Sequence, residues 1–151
     1  LVGSEMCIRD SSKSNLEKDD AISPLNTLLK EADIISLHCP LTNETKNMIS
    51  DIELNLMKNN AILINTARGA LVDSQALLEA LVSKKIAGAA IDVLPQEPPI
   101  DGNCLLDYHD NNLILTPHIA WATSKARQNA IDQLAKTICA FQAGQKLNVI
   151  S

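Results

Sequence analysis

The sequence predicts an α/β protein built on a parallel sheet with flanking helices, and three observations lead there. Four short runs, 34–38, 61–64, 87–92 and 113–115, are almost wholly apolar instead of alternating apolar with polar. Strands of that kind are buried on both faces, as in parallel sheets covered on both sides. Around and between them lie segments whose Leu and Ile residues recur every three or four positions, the mark of amphipathic helices. Right-handed crossovers then bring every strand's C-terminal end to one edge, where open α/β sheets bind ligands. The polar motifs fall at those ends: His38-Cys39-Pro40, Asn65-Thr66-Ala67-Arg68, Asp92 and Pro117-His118.

Each element has its own local reason. Residues 1–22 carry polar runs such as 10–15 and 18–20 with no apolar period, and read as an irregular leader or truncated edge, expected to be loose. Ser23-Pro24 is a helix start, with Ser as cap and Pro at the first helical position, and Leu25, Leu28 and Leu29 line one face. Ile34 to His38 is a strand stopped by Pro40. Ser50 and Glu53 form a capping box, with Ile49 and Leu54 as hydrophobic staple, for a helix through about Lys58. Residues 61–64 make the next strand, ending at Asn65. Asp73 or Ser74 caps a helix that places Leu77, Leu78, Leu81 and Val82 together. Residues 87–92 are a strand of small side chains, which let a helix pack close, and 113–115 are a fourth strand. Thr123 caps a long final helix with Ile131, Leu134, Ile138 and Phe141 at spacings of three and four, and Gly144 ends it.

Composition narrows the partners. A chain of 151 residues is long enough for one domain with a real core, and 46% apolar content is ordinary for such a domain. One Trp, one Tyr and one Phe leave that core to aliphatic side chains. A net charge of −5, with acids spread along the chain, argues against nucleic acid or an anionic membrane surface. No apolar stretch reaches spanning length or begins the chain as a signal peptide would, so the expectation is a soluble, cytoplasmic protein. Cys7, Cys39, Cys104 and Cys139 form no C-x-x-C pair and show no metal-ligand spacing; they read as free thiols in a reducing compartment. His38 and Cys39 are adjacent on a strand and so point to opposite faces, which speaks against a shared metal.

Three side chains in these motifs carry chemistry. Arg68, in Asn65-Thr66-Ala67-Arg68-Gly69, can grip a carboxylate with two parallel hydrogen bonds and polarise a neighbouring carbonyl. Gly69 beside it permits close approach or an unusual turn. His118, in Thr116-Pro117-His118-Ile119-Ala120-Trp121, can deliver or take a proton near neutral pH. Glu97, in Asp92-Val93-Leu94-Pro95-Gln96-Glu97-Pro98, can keep such a histidine charged. Together these are the parts for reducing a 2-oxo acid to a 2-hydroxy acid. Taken singly, each has a bland reading: a surface arginine, a loop glutamate and a histidine satisfied by local bonds.

In wording, order and spacing the three motifs resemble the D-isomer-specific 2-hydroxyacid dehydrogenases, over about residues 23–151. His-Ile-Ala-Trp-Ala-Thr at 118–123, with the Glu-Pro-Pro turn at 97–99, resembles most the glycerate dehydrogenases that reduce hydroxypyruvate. The resemblance implies a Rossmann-like fold, incomplete here: residues 23–122 as the C-terminal part of the NAD-binding domain, and 123–151 as a helix and tail returning towards the substrate domain. It implies Arg68, Glu97 and His118 as catalytic residues. It implies cofactor contacts from Cys39, Pro40, Thr45, Thr66, Ala67, Arg68, Asp92, His118 and Ala120, with Thr66 and Ala67 beside the nicotinamide and Asp92 receiving its carboxamide. Trp121 would wall the substrate pocket or anchor the final helix. The cofactor is NAD, with NADP left open. The partners implied are a small 2-oxo or 2-hydroxy acid and, at full length, a second subunit in a homodimer.

The family's G-x-G-x-x-G fingerprint, which receives the pyrophosphate, does not occur among Gly3, Gly69, Gly88, Gly102 and Gly144. The chain is therefore expected to be the C-terminal half of a two-domain enzyme. Asp10 is a weak candidate for the ribose-binding acid, since an acid in a polar leader is ordinarily just solvated. The alternative is a non-catalytic, nucleotide-sensing protein on the same fold.

Overall fold

The computed structural model describes residues 24–147. The expected leader, Cys7, Asp10 and the Ser23 cap lie outside them. The chain divides into two compact units, Leu1–Pro117 and His118–Ser151, and each is described by itself.

The first unit contains α1 (Leu25–Glu31), β1 (Ile34–Leu37), α2 (Asp51–Leu56), β2 (Ile62–Asn65), a short 3-10 turn (Gly69–Leu71), α3 (Ser74–Val82), β3 (Gly88–Ile91) and β4 (Leu113–Leu115). The strands form one parallel sheet in the order β1-β2-β3-β4. Its register aligns Leu37, Asn65, Ile91 and Leu115 in a single row, so all four strands end at the same level. Four strands and the helices α1 to α3 fall where the periodicity puts them, to within one or two residues at the ends. Pro24 stands just before α1, at the cap, one position earlier than expected.

The core lies on one face of the sheet. There α1 packs on α2 and α2 on α3, and Leu29, Leu54, Leu77 and Leu81 are buried against Ile35, Leu37, Leu63, Ala89 and Ile91. Each such leucine contributes roughly 1.5–3 kcal/mol by leaving water. On the opposite face the register sets Ile34, Ile62 and Ile114 with Ile64 and Ala90. Ile34 and Ile114 remain 59% and 63% exposed there. Among the described residues of the first unit, α1 to α3 cover one face of the sheet. The strands are apolar on both faces, but α1, α2 and α3 share one core. Val82 likewise proves exposed, because the buried stripe of α3 runs through Leu77, Ala80 and Leu81.

From β3 to β4 the chain runs without a regular helix, and it is held by side-chain amides. Asn103 Nδ2 donates to Ser74 Oγ at 3.1 Å, Asn112 Nδ2 to the Leu81 carbonyl at 3.1 Å, and Tyr108 Oη to Asn112 Oδ1 at 2.8 Å. The second unit holds α4 (Ser124–Gln142), which Thr123 caps by accepting from Ala126 N at 3.1 Å. Gly144, at φ 68°, ends it in the left-handed conformation that glycine adopts without strain. The apolar stripe of α4 is real but exposed, with Phe141 83% accessible.

The capping box at α2 is formed. Glu53 Oε2 accepts from Ser50 N at 3.0 Å and from Ser50 Oγ at 2.6 Å, above a buried staple of Ile49 and Leu54. Burial opposes the charge on Glu53, but the Ser50 bonds outweigh it and hold the carboxyl below its usual range. Such a group stabilises the fold above its unfolded pKa of about 4.3, and the contribution is lost as pH falls through the lower folded value. Glu53→Gln, which keeps the capping-box acceptor and removes only the charge at the helix N-terminus, should lower stability by about 0.3–1 kcal/mol at pH 7. In urea titrations the gap from the parent protein should close at acid pH; a gap that widens there contradicts the assignment.

Candidate active site

The row Leu37–Asn65–Ile91–Leu115 delivers four polar segments to one edge: 38–41, 66–68, 92–97 and 116–117. Between the first two lies a trough of about 620 Å³, lined by His38, Cys39, Pro40, Leu41, Thr66, Ala67 and Arg68. Of the residues expected to contact a cofactor, Cys39, Pro40, Thr66, Ala67 and Arg68 are therefore brought together. Ser36 Oγ lies 2.8 Å from His38 Nε2 and steadies that ring at the trough's rim. A second hollow, between α2 and α3, is lined by Asp51, Asn55, Glu79 and Lys85 and lies away from the strand ends.

The loop carrying Arg68 is shaped by Asn65, which is fully buried. Its Oδ1 accepts from Ala67 N at 3.1 Å and its Nδ2 donates to the Arg68 carbonyl at 2.9 Å. One amide thus satisfies two main-chain groups and folds 66–68 into a tight turn. Sequence reasoning treated Asn65 only as the end of a strand; the available signal was an Asn directly after an apolar run and three residues before an arginine. Asn47 N donates to Ala70 O at 2.8 Å and Ile49 N to Leu71 O at 3.1 Å, which stitches the loop after β1 to the one after β2. Arg68 itself is exposed, with Nη1 donating to Ala67 O at 2.7 Å.

Gly69 fixes the next neighbour. A Cβ there would fall 2.0 Å from the Leu94 carbonyl carbon and 2.3 Å from Pro95 N. The Arg68 loop therefore lies directly against the 94–95 peptide, which begins the turn carrying Glu97. That turn is held by Glu97 Oε1, which accepts from Leu94 N at 2.8 Å. The expected close approach at Gly69 is the correct one of its two readings.

Asp92, 4% exposed, follows β3; its Oδ1 accepts from Thr116 Oγ1 at 2.5 Å. The ends of β3 and β4 are thereby tied around one carboxylate. Thr45 lies outside the trough lining, with its hydroxyl donating to Pro40 O at 2.8 Å and accepting from Thr42 N at 2.7 Å, so it closes the 40–45 turn. His118 and Ala120 belong to the second unit. His118 adopts φ 55°, the left-handed region that non-glycine residues enter at a cost of about 1–2 kcal/mol. Strain of that kind gathers where a side chain must be aimed. Trp121 Nε1 donates to the His118 carbonyl oxygen at 2.9 Å.

The cysteines Cys39, Cys104 and Cys139 are free thiols, and burial pushes the Cys104 thiol up. Cys39 Sγ lies 3.4 Å from Met48 Sδ. Among the described residues no three His, Cys, Asp or Glu side chains form a metal-holding group, and no helix is long and apolar enough to cross a membrane.

A parallel sheet with its polar loops gathered at the C-terminal edge defines a nucleotide-binding α/β protein. The profile of the D-isomer specific 2-hydroxyacid dehydrogenase NAD binding domain matches residues 2–120. The chain is 53% identical over 131 residues to the glycerate dehydrogenase of Methylorubrum extorquens, covering 87% of this chain and 42% of that one. To the glyoxylate reductase of Thermococcus litoralis it is 50% identical over 119 residues, covering 79% and 35%. The structure of a D-isomer specific 2-hydroxyacid dehydrogenase from Lactobacillus delbrueckii ssp. bulgaricus in NAD-complexed form superposes with a TM-score of 0.70 at 36% identity, covering 86% of this chain and 43% of that one. The chain belongs to the D-isomer specific 2-hydroxyacid dehydrogenase family, matching its NAD-binding domain over residues 2–120, while spanning less than half the length of these relatives.

Gly69→Ala should cost about 1–3 kcal/mol, because the clash is with main chain that cannot rotate aside. Thermal unfolding checks this; an unchanged midpoint would show that the 69–94 contact is not tight.

Proposed function

We propose that the full-length protein is an NAD-dependent oxidoreductase interconverting a 2-oxo acid and its D-2-hydroxy acid, with hydroxypyruvate and D-glycerate as the substrate pair. The observation that carries this reading is the trough at the strand ends, where an exposed arginine stands beside small side chains and main chain. Its volume of about 620 Å³ lies within the range of small-molecule sites, and Thr66 and Ala67 are small enough for a flat ring to approach the backbone. This fits the nicotinamide side of the cofactor, which when bound supplies or accepts the hydride. Cys39, Pro40, Thr66 and Ala67 would line it, and the carboxylate of Asp92, oriented by Thr116, would receive its carboxamide.

Arg68 holds the substrate carboxylate and draws charge from the carbonyl as it is reduced. His118 gives its proton to the substrate oxygen, or takes it back in the reverse direction. Glu97 keeps that imidazole charged in the working enzyme. Residues 23–122 serve as the C-terminal part of the cofactor domain, and 123–151 as the helix and tail returning to a substrate domain. The free thiols favour the cytoplasm, the exposed stripe of α4 favours packing on the substrate domain, and a homodimer is expected at full length.

Hydroxypyruvate is favoured by the relative named glycerate dehydrogenase. The relative named glyoxylate reductase supports glyoxylate as a second substrate. Comparing kcat/KM for the two acids separates them: a higher value for glyoxylate reverses the order. In the full-length enzyme His118→Ala should lower kcat by at least 100-fold, the scale of a lost general acid, while NADH binding survives. Equal loss of binding and turnover would remove His118 from the chemistry. No turnover of any 2-oxo acid by the intact protein would favour a nucleotide sensor.

A further inference from the structure

We infer that Trp121 is a positioning residue for His118: its indole N–H, bonded to the His118 carbonyl oxygen, holds the left-handed backbone that aims the imidazole. The inference rests on the reading of His118 as the acid given above.

Three observations carry it. The bond is of normal length, 2.9 Å, and the indole N–H is a donor only, so its direction of action is unambiguous. Trp121 is 61% exposed in this chain, and the bond to the His118 carbonyl is the one hydrogen bond its single donor makes. His118, at φ 55°, occupies a conformation that needs something to hold it. Relaxing φ to a negative value rotates the adjoining peptides and swings Cβ, and with it the imidazole. A grip on the His118 carbonyl from three residues ahead opposes that rotation.

The rest of the strap is already fixed. Ala122 N donates to Ile119 O at 2.8 Å, and Thr123 begins the 19-residue α4 as its cap. Trp121 therefore stands on a firm base, inside a closed turn and just ahead of a capped helix. Indole is also rigid, with two side-chain torsions, so little freedom is lost in making the bond. The role is distinct from that of a pocket wall, which would touch substrate through the ring faces and act on its binding.

The test uses the full-length enzyme. Trp121→Phe removes the donor and keeps an aromatic ring. Benzothienylalanine at 121 keeps the bicyclic shape and puts sulfur in place of the N–H, and 7-azatryptophan restores the donor. Both donor-free proteins should lose about five- to tenfold in kcat, the scale of one neutral hydrogen bond, with KM for NADH and for the 2-oxo acid unchanged. Azatryptophan should return kcat to the parent value. The ¹³C shift of the His118 carbonyl should move in the donor-free proteins, whatever their activity. A parent-like kcat with benzothienylalanine, an unmoved carbonyl shift, or an effect confined to KM for the acid overturns the inference while leaving His118 as the acid. Full turnover by His118→Ala overturns the acid assignment and the inference with it.

Discussion

The polar groups at the sheet's C-terminal edge are placed by one row of strand pairing, Leu37 with Asn65, Asn65 with Ile91 and Ile91 with Leu115. Parallel strands held in that register must all release their chains at the same level. The trough loops, the buried aspartate and the threonine that meets it are then neighbours by construction, although dozens of residues separate them in sequence. A slip of one residue in β2 or β3 would turn Leu63 or Ile91 out of the core, so burial itself protects the geometry of the edge.

Small, local devices then refine what the register delivers. The Asn65 amide folds the arginine loop, Gly69 lets that loop meet the 94–95 peptide, and Thr116 ties the fourth strand to Asp92. None of these side chains is suited to proton transfer at neutral pH. Their work is positional, and it makes the approach of Arg68 to the 92–97 turn a property of the backbone. The second unit shows the same economy, with a tryptophan, a capping threonine and a strained histidine within six residues.

Much of this was legible in the sequence. Apolar runs bounded by polar motifs gave the four strands, and Ser50-Glu53, Asp73 and Thr123 gave three helix starts, because capping is local chemistry written in consecutive residues. What could not be read was non-local. Ile34, Ile62 and Ile114 look like core residues from sequence, and only the placement of α1 to α3 shows that, among the described residues of the first unit, these helices pack on the other face. Val82 fails the same way: periodicity says which side chains share a face, never whether anything covers it. Asn65 escaped because its two bonds go to its own loop, and nothing in its identity separates that from an ordinary strand end. Thr45, expected as a cofactor contact, has its hydroxyl bonded within the 40–45 turn, to Pro40 O and Thr42 N.

The central claim is that the edge defined by this row holds the nicotinamide side of NAD. Hydrogen–deuterium exchange of the intact protein, with and without NADH, tests it most directly. The account predicts slowed amide exchange in 38–41, 66–71 and 92–94, with α2 and α3 unchanged. Protection centred on the hollow lined by Asp51, Glu79 and Lys85, with the strand ends unaffected, would contradict it.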